Sequence, residues 1–480
     1  MSKFAVRKVT SPDTEGFTTT IKHVVLHCGN VVGNNNKYYC IELQLHPNGT
    51  YRIFTHYGRL NVTNIYEVRD TVDGRAITDR RAIEREFDRI VTRKKAGKKQ
   101  EGGGTENYVE VDVSIPTVGS ENIRGKDVSE TAVAKTTKTP NFGYSHLEPE
   151  CQRLVRQLLD ENIHAITTST AGALKLTSRG LETPLGPVTL PHIDNARSVL
   201  TRLKDQIDPE TRIADRTSRI VIEANNEYYS LIPHDMGRKI KDQDWILDDK
   251  KVIDEFELLE QLSAAVQAGT TIDGRKSNTA YLDFHMEPLT DPALTVEIIS
   301  AIRNSKARNH QNLDVWYWDV NKIFSVEIKK ERSAFEQVGS KLGNQVSLFH
   351  GSKNQNCLSI LFNGLIIPPH NAHWVTARMF GNGVYFASSS TKSLNYSTGF
   401  WGGMSNKYKN SFLFVVKVAL GKTYKTKQKM SSGPPASYDS LHAQAADRVG
   451  YDGSLYNDEF IVYRTSQATI QYMVEMKRTR

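Results

Sequence analysis

The sequence predicts a multidomain α+β protein: a small β-sheet with a helix, an all-α helical bundle, and a mixed, mostly β domain. Three observations carry that reading. Hydrophobic periodicity changes twice along the 480 residues: a period of two before Leu60, a helical period between Leu154 and Val266, and short strand-like runs beyond Tyr281. Charge changes with it, from net +8 over residues 1–100 to −12 over 101–300 and +12 over 301–480. The length also exceeds what one core of ordinary size organises.

The first domain is assigned to residues 1–110. "KYYCIELQLHPNGTYRIFTHYGRL" (37–60) alternates aromatic and aliphatic residues about Asn48-Gly49, the pattern of two half-buried strands joined by a hairpin. In "DRRAIEREFDRIVTRKKAG" (79–97), Ala82, Ile83, Phe87, Ile90 and Val91 form one apolar stripe that Gly97 ends, so a helix packs on the sheet. A polar linker over 111–142 follows, with a short strand near Tyr108–Val113. The bundle, 143–275, rests on four stripes: Leu154 to Ile163, Ile193 to Ile207, Ile213 to Tyr228, and Val252 to Val266, the last closed by Gly269. The final domain, 276–480, contains the strand-like runs "NKIFSVEI", "SFLFVVKVAL", "EFIVY" and "TIQYMVEM".

Composition narrows the class. No run of 18 apolar residues occurs, and "MSKFAVRKVTSPDTEG" has no apolar targeting core, so no membrane span is expected. Cys28, Cys40, Cys151 and Cys357 lie far apart, without the spacing of a zinc site or a disulfide framework. The expectation is a reducing intracellular compartment, with no metal. The basic N-terminal block fits a nucleic-acid contact and the basic C-terminal block an anionic small molecule; solvated surface charge fits each block as well.

Candidate chemistry concentrates in the last domain. Between Gln337 and Tyr438 there is no Asp or Glu, so a site here has few carboxylates to choose from. Glu459 opens the run "EFIVY", where a strand fixes its direction; read alone, it is first of all an ordinary solvent-facing strand end. His350 ends an apolar strand beside Gly351, where a substrate can approach the backbone, although a His bonded to its own turn has the same appearance. Tyr385 and Tyr396 can sandwich a flat heterocycle or simply pack in a core. Gly381 and Gly383 give only G-x-G before a strand, the wrong context for a Rossmann or P-loop phosphate site.

"LFHGSKNQNCLSILFNGLIIPP", "RMFGNGVYFASSSTKSLNY" and "LYNDEFIVY" resemble, in order and spacing, the catalytic domain of the poly(ADP-ribose) polymerase family. "TPLGPVTLPHIDNARSVL" and "EYYSLIPHDMG" resemble the helical regulatory domain of its DNA-dependent members, and "GTYRIFTHYGRL" their WGR domain. The resemblance implies an NAD-dependent ADP-ribosyltransferase that moves ADP-ribose from NAD, its substrate, to protein acceptors, itself included, or to a growing chain, releasing nicotinamide. It implies NAD binding by His350, Gly351, Ser352, Tyr385, Phe386, Ala387, Ser393 and Tyr396. His350 and Ser352 would meet the adenosine ribose, while Gly351 and Ser393 clamp the carboxamide. Tyr385 and Tyr396 would enclose the nicotinamide ring. The catalytic set is Glu459, His350, Tyr385 and Lys392, with Glu459 on the nicotinamide ribose and Lys392 an auxiliary cation. Tyr57, Gly58 and Arg59 would contact DNA or RNA, and the acidic bundle would restrain the site until they do.

The sequence departs from that pattern. Tyr57 stands where the WGR name calls for Trp, Ile366 where Arg is common, and Ser388 where Asp is common. Tyr456-Asn457-Asp458-Glu459 carries one residue more than the usual Tyr-Asn-Glu, so Asp458 is the register alternative to Glu459. The basic tract Arg93–Lys99 reads as a nucleic-acid contact, a nuclear-localisation signal or a solvated linker end. The rival functions are a catalytically silent NAD or ADP-ribose binder, a mono-ADP-ribosyltransferase and an RNA 2′-phosphotransferase. Placement follows the host: nucleus in a eukaryote, otherwise cytoplasm.

Overall fold

A computed structural model describes residues 4–9, 16–30, 35–59, 65–99, 105–106, 108–110, 147–177, 180–183, 186–234, 236, 241–269, 284–307, 313–367, 379–398, 410–445 and 455–479. The proposed linker, 111–142, lies outside them. The chain forms two compact units, Met1–Pro140 with Ile166–Ile272, and Asn141–Ala165 with Asp273–Arg480. Multidomain α+β is the architecture, as the periodicity requires.

In the first unit, β1 (Phe4–Val9), β2 (Thr19–Asn30), β3 (Asn35–Leu45), β4 (Tyr51–Arg59), β5 (Ile65–Val72) and β6 (Val109–Glu110) pair in the order β1-β5-β4-β3-β2-β6. Helix α1 (Arg80–Ala96) lays Ile83, Phe87 and Ile90 on Leu26, Tyr39, Ile41, Leu43 and Ile53. Each of these three side chains is fully buried, worth about 1.5–3 kcal/mol apiece. Asp79 caps the helix by accepting from Ala82 N, and Arg93, Lys94 and Lys95 face the negative end of its dipole. Two sequence expectations need correction. Every residue from Tyr38 to Gln44 is buried, because β3 is a central strand covered on both faces, so it is not half-buried. Asn48-Gly49 sits inside a five-residue loop, closed by His46 N donating to Thr50 O (2.9 Å), rather than in a two-residue turn. The Asn48 side chain accepts from Thr50 N and Oγ1 and stabilises the wider loop.

Helix α2 (Pro149–Ser169) begins among residues of the second unit and ends among those of the first. Helices α3 (Leu190–Lys204), α4 (Arg219–Leu231) and α5 (Asp249–Gly269) belong to the first. Ile213, read as part of the α4 stripe, lies before the helix in a β-bridge to Asp248. A three-stranded sheet (Lys175–Thr177, Gly180–Thr183, Gly186–Pro187) adds β-structure that the periodicity did not predict. Buried histidines cap the last carbonyls of α4. His27 from β2 donates Nδ1–H to Ser230 O (2.6 Å), and His192 from α3 donates Nε2–H to Leu231 O (2.5 Å). Beside them Glu255 of α5 accepts from Tyr228 Oη (2.8 Å) and Lys251 Nζ (2.9 Å), with His234 Nε2 at 3.3 Å.

The second unit holds two sheets. The larger is antiparallel, in the order β7 (Phe284–Pro288), β8 (Trp318–Ile328), β15 (Ala468–Arg478), β11 (Asn410–Ala419), β9 (Gln345–Gly351). The smaller runs β10 (Val384–Phe386), β14 (Glu459–Val462), β13 (Ser440–Ala443), β12 (Thr423–Thr426), with β12 and β13 parallel. Phe349 and Ala387 link the sheets by one pair of backbone hydrogen bonds. Helices α6 (Pro292–Asn304), α7 (Lys329–Gln337), α8 (Asn354–Asn363) and α9 (Ser390–Ser397) complete the unit. The core gathers Ile302, Phe349, Leu394, Leu413, Val474 and Met476. Among the described residues no helix is long and apolar enough to cross a membrane.

Candidate active site

The site forms where the two sheets meet and α9 crosses them. Helix α9 is pinned at both ends: Ser390 Oγ donates to Ile302 O (2.7 Å) and Ser397 Oγ to Phe412 O (2.6 Å). Its Leu394 is fully buried in the core. The helix therefore presents Lys392, Ser393 and Tyr396 from a fixed frame.

Opposite stands the end of β9. Phe349 exchanges both backbone hydrogen bonds with Ala387, 2.9 Å each. Alternate residues of a strand aim their N–H and C=O to the same side, so those of Gly351 point the way Phe349's do. The next link between the strands is a side chain: His350 donates Nδ1–H to Tyr385 O (2.9 Å). That bond fixes the tautomer and leaves Nε2 as a bare acceptor. Burial lowers the His350 pKa from the ordinary 6.5 despite the carbonyl's opposing effect, so the ring is neutral at pH 7. Phe386 is buried edge-on to His350, and the Ala387 backbone is fully used by Phe349, so both buttress the strand end. Ser352 is half-buried just after it.

Gly351 is required by packing as well as by any ligand. A Cβ there would lie 1.8 Å from the Ser393 carbonyl oxygen and 2.8 Å from Ser397 Oγ. The backbone of α9, not a substrate, occupies the space a side chain would take. Ser393 Oγ donates to Phe349 O (3.1 Å), which leaves its lone pairs as acceptors.

Tyr385 lies on the wall of the smaller sheet, across from Ile461. Its hydroxyl donates to Gly381 O (2.8 Å) and accepts from Phe380 N (3.2 Å), so the ring is held by the loop before it. A Cβ on Gly383 would meet Val462 O at 2.5 Å, so the G-x-G glycines allow this loop and strand to pack. Tyr396 is half-buried. Its phenol is pushed well above the usual range, by burial first and then by Glu459 and Tyr385 nearby.

Glu459, 5% exposed, meets Lys392: Nζ to Oε1 is 2.9 Å, and the same ammonium donates to Asn457 O (2.7 Å). Burial lowers the Lys392 pKa below 10.5, with Glu459 and then Asp458 opposing. Asp458 turns elsewhere, accepting from Ala445 N (2.8 Å) and pairing with His442 Nε2 (2.6 Å). Burial raises the Asp458 pKa, but these bonds outweigh it and hold the carboxyl below the ordinary value. His442 stacks on Phe460 at 4.3 Å. Period-two alternation thus separates the two carboxylates, Glu459 toward Lys392 and Asp458 toward His442. The sequence made Lys392 an auxiliary cation; in the structure it is the direct partner of Glu459, 67 positions away. The His442–Asp458 pair had no sequence signal. Among the described residues no cluster of three His, Cys, Asp or Glu side chains could hold a metal ion.

At the N-terminal sheet the Tyr57 ring stacks on Tyr39 (5.3 Å, 25°) and its hydroxyl donates to Glu67 Oε1 (2.8 Å). Burial and that carboxylate push the phenol up to about 12. Lys94 Nζ lies 4.1, 5.1 and 5.7 Å from the rings of Tyr39, Tyr108 and Tyr57, a cation–π arrangement. Tyr57 and Gly58 are half-exposed at the end of β4, and the Arg59 side chain lies outside the described residues.

Known proteins match along most of the chain. Residues 145–289 match the regulatory domain of poly(ADP-ribose) polymerase and residues 297–478 its catalytic domain. Poly(ADP-ribose) polymerase 2 of Homo sapiens is 25% identical over 95% of this chain and 79% of its own length. Poly(ADP-ribose) polymerase 2 of Arabidopsis thaliana is 26% identical over 94% and 72% respectively. Poly(ADP-ribose) polymerase 1 of Danio rerio is 26% identical over 72% of this chain, which spans only 35% of that longer protein.

Proposed function

We propose, for a chain that belongs to the poly(ADP-ribose) polymerase family and whose catalytic domain is an NAD ADP-ribosyltransferase, that it grows ADP-ribose chains on protein acceptors, itself included, when its N-terminal sheet binds nucleic acid. The supporting observation is the buried Lys392–Glu459 pair beside Tyr396, with Lys392 and Tyr396 supplied by a stretch, 338–438, that holds no Asp or Glu.

In this reading the nicotinamide carboxamide bonds to the Gly351 backbone and Ser393 Oγ, and its ring lies between Tyr385 and Tyr396. His350 Nε2 accepts from an adenosine-ribose hydroxyl, near Ser352. Lys392 holds Glu459 Oε1 and leaves Oε2 for the 2′-hydroxyl of the nicotinamide ribose. The C1′–N bond breaks with its electron pair leaving on nicotinamide, and positive charge builds on the ribose where the carboxylate stabilises it. In chain growth the acceptor is a ribose hydroxyl: its oxygen bonds C1′ and its proton passes to Glu459 and on to solvent. A fixed electrostatic group of this kind supplies about 10²–10³ in rate.

The division into 1–110, 111–142, 143–275 and 276–480 assigns nucleic-acid sensing to Tyr57, Gly58 and Arg59, and restraint of catalysis to the bundle. The buried His27–Ser230 contact supports coupling of that sheet to α4. Incubation of the full chain with labelled NAD, with and without broken DNA, tests this reading. A DNA-dependent ladder supports it, a single band indicates mono-transfer, and no label at all indicates a binder.

A further inference from the structure

The stretch Val338–Tyr438 holds eleven Lys and Arg and no Asp or Glu, more positive charge than the net +8 of the whole chain. Catalysis uses one of these cations, Lys392. Several others gather on β12 and the turn after it, in "KTYKTKQK" (422–429), where Lys422, Lys425, Lys427 and Lys429 are all exposed. Lys425 and Lys429 meet no carboxylate among the described residues. Aromatic rings interleave with the charges: Tyr424 packs edge-on to Tyr438 (5.1 Å), and Lys422 Nζ sits 4.6 Å over the Tyr438 ring.

Position separates this patch from scattered surface charge. β12 is the edge of the smaller sheet, in the order β10-β14-β13-β12. The register runs Thr426–Ala443–Glu459 across three strands, which puts the edge about 10 Å from the row of the catalytic carboxylate. Tyr424 and Thr426 share the face of Glu459; Lys425 stands on the other face with His442 and Phe460. A flexible polyanion lying along this edge meets ammonium groups for its phosphates and tyrosine faces for its bases, two strands from the reacting centre.

We infer that the β12 edge binds the ADP-ribose chain itself, holding the growing polymer so that its terminal ribose reaches Glu459. This rests on the chain-growth reading above. Two pyrophosphate charges per repeat match the lysines, and a polymer lengthened at Glu459 must leave along an adjacent surface.

The test compares the full chain with a K425Q/K427Q/K429Q variant, using size-fractionated, end-labelled ADP-ribose polymer without NAD. Polymer affinity should fall at least about tenfold, and the slope of log affinity against log salt should flatten by about 2, from three phosphate contacts at roughly 0.7 each. KM for NAD and the rate of first transfer should be unchanged, while the labelled ladder shortens. Unchanged polymer affinity and salt slope would overturn the inference. So would an equal loss of affinity for single-stranded DNA of matched charge, which would make the edge a nucleic-acid surface. Self-association of the variant with polymer binding intact would also overturn it, because the lysines would then only protect a strand edge. A parent chain that gives one band, yet binds polymer through these lysines, would sink the chain-growth reading and leave the binding surface standing.

Discussion

Replacing Gly351 with Ala adds one methyl group where the structure has least room. The new Cβ would start 1.8 Å from Ser393 O and 2.6 Å from the Ser393 carbonyl carbon. Ordinary contact needs at least about 3.4 Å, so α9 or the end of β9 must move by about 1.5 Å. Neither yields easily, because α9 is pinned by Ser390 and Ser397 and β9 by the Phe349–Ala387 bridge. The helix carries Lys392, Ser393 and Tyr396, so the movement is transmitted to the groups proposed to surround NAD. Overpacking of this kind costs about 1–3 kcal/mol of stability, and a displacement of about 1 Å near the reacting atoms costs about 10²-fold in rate. G351A should therefore lose about 10²-fold in kcat/KM for NAD, measured by nicotinamide release, and melt at a lower temperature. Adding S397A should not rescue it, because the carbonyl contact remains. Activity within threefold of the parent at an unchanged melting temperature would refute the packing argument.

Lys392→Met should lower kcat by about 10²-fold or more and destabilise the catalytic domain by roughly 3–5 kcal/mol, the cost of stranding one partner of a buried pair; nicotinamide release and thermal melting read the two effects. Because burial lowers the Lys392 pKa, parent activity should show an alkaline limb below pH 10.5, and a limb at or above that value would contradict the environment described. Asp458→Asn should reduce activity less than tenfold, since its carboxylate serves His442 and Ala445; a loss equal to that of Glu459→Gln would reverse the register assignment. Burial alone would raise the Glu255 pKa, but His234 and Lys251 hold it at about 2 against an ordinary 4.5. The network of Glu255 with His234 and Lys251 thus adds stability that is present above pH 4.5 and lost as pH falls toward 2. Glu255→Gln should flatten that acid transition and, by loosening the bundle, raise DNA-independent transfer; a loosened bundle without added activity would argue against restraint.

Strong periods made most of the fold legible. The stripe ended by Gly97 became α1, and "SFLFVVKVAL" and "TIQYMVEM" became paired central strands, because burial on defined faces imposes those patterns. The short sheet at Lys175–Pro187 left no trace, since strands of two to four residues cannot show a period. Asn48-Gly49 suggested a tight turn, but loop length was decided by the His46–Thr50 closure and the Asn48 side chain. The site was legible as residue types and illegible as partnerships. Nothing local to Lys392 or Glu459 says that strand pairing brings them to 2.9 Å, and the crowding that requires Gly351 comes from a helix 42 residues later. Asp458 and Glu459 are neighbours in sequence, and only strand alternation assigns them to different partners.

The most direct measurement is NAD turnover by Glu459→Gln. The amide keeps the size of the carboxylate and an oxygen for Lys392 to donate to while removing the opposing charge, so the purified variant should still fold and bind NAD but melt at a lower temperature than the parent, its buried ammonium having lost its counter-charge. With broken DNA present, nicotinamide release should fall by about 10²–10³-fold and the polymer ladder should disappear. A Glu459→Gln chain that releases nicotinamide and builds a ladder at the parent rate would contradict the assignment of Glu459 as the catalytic carboxylate.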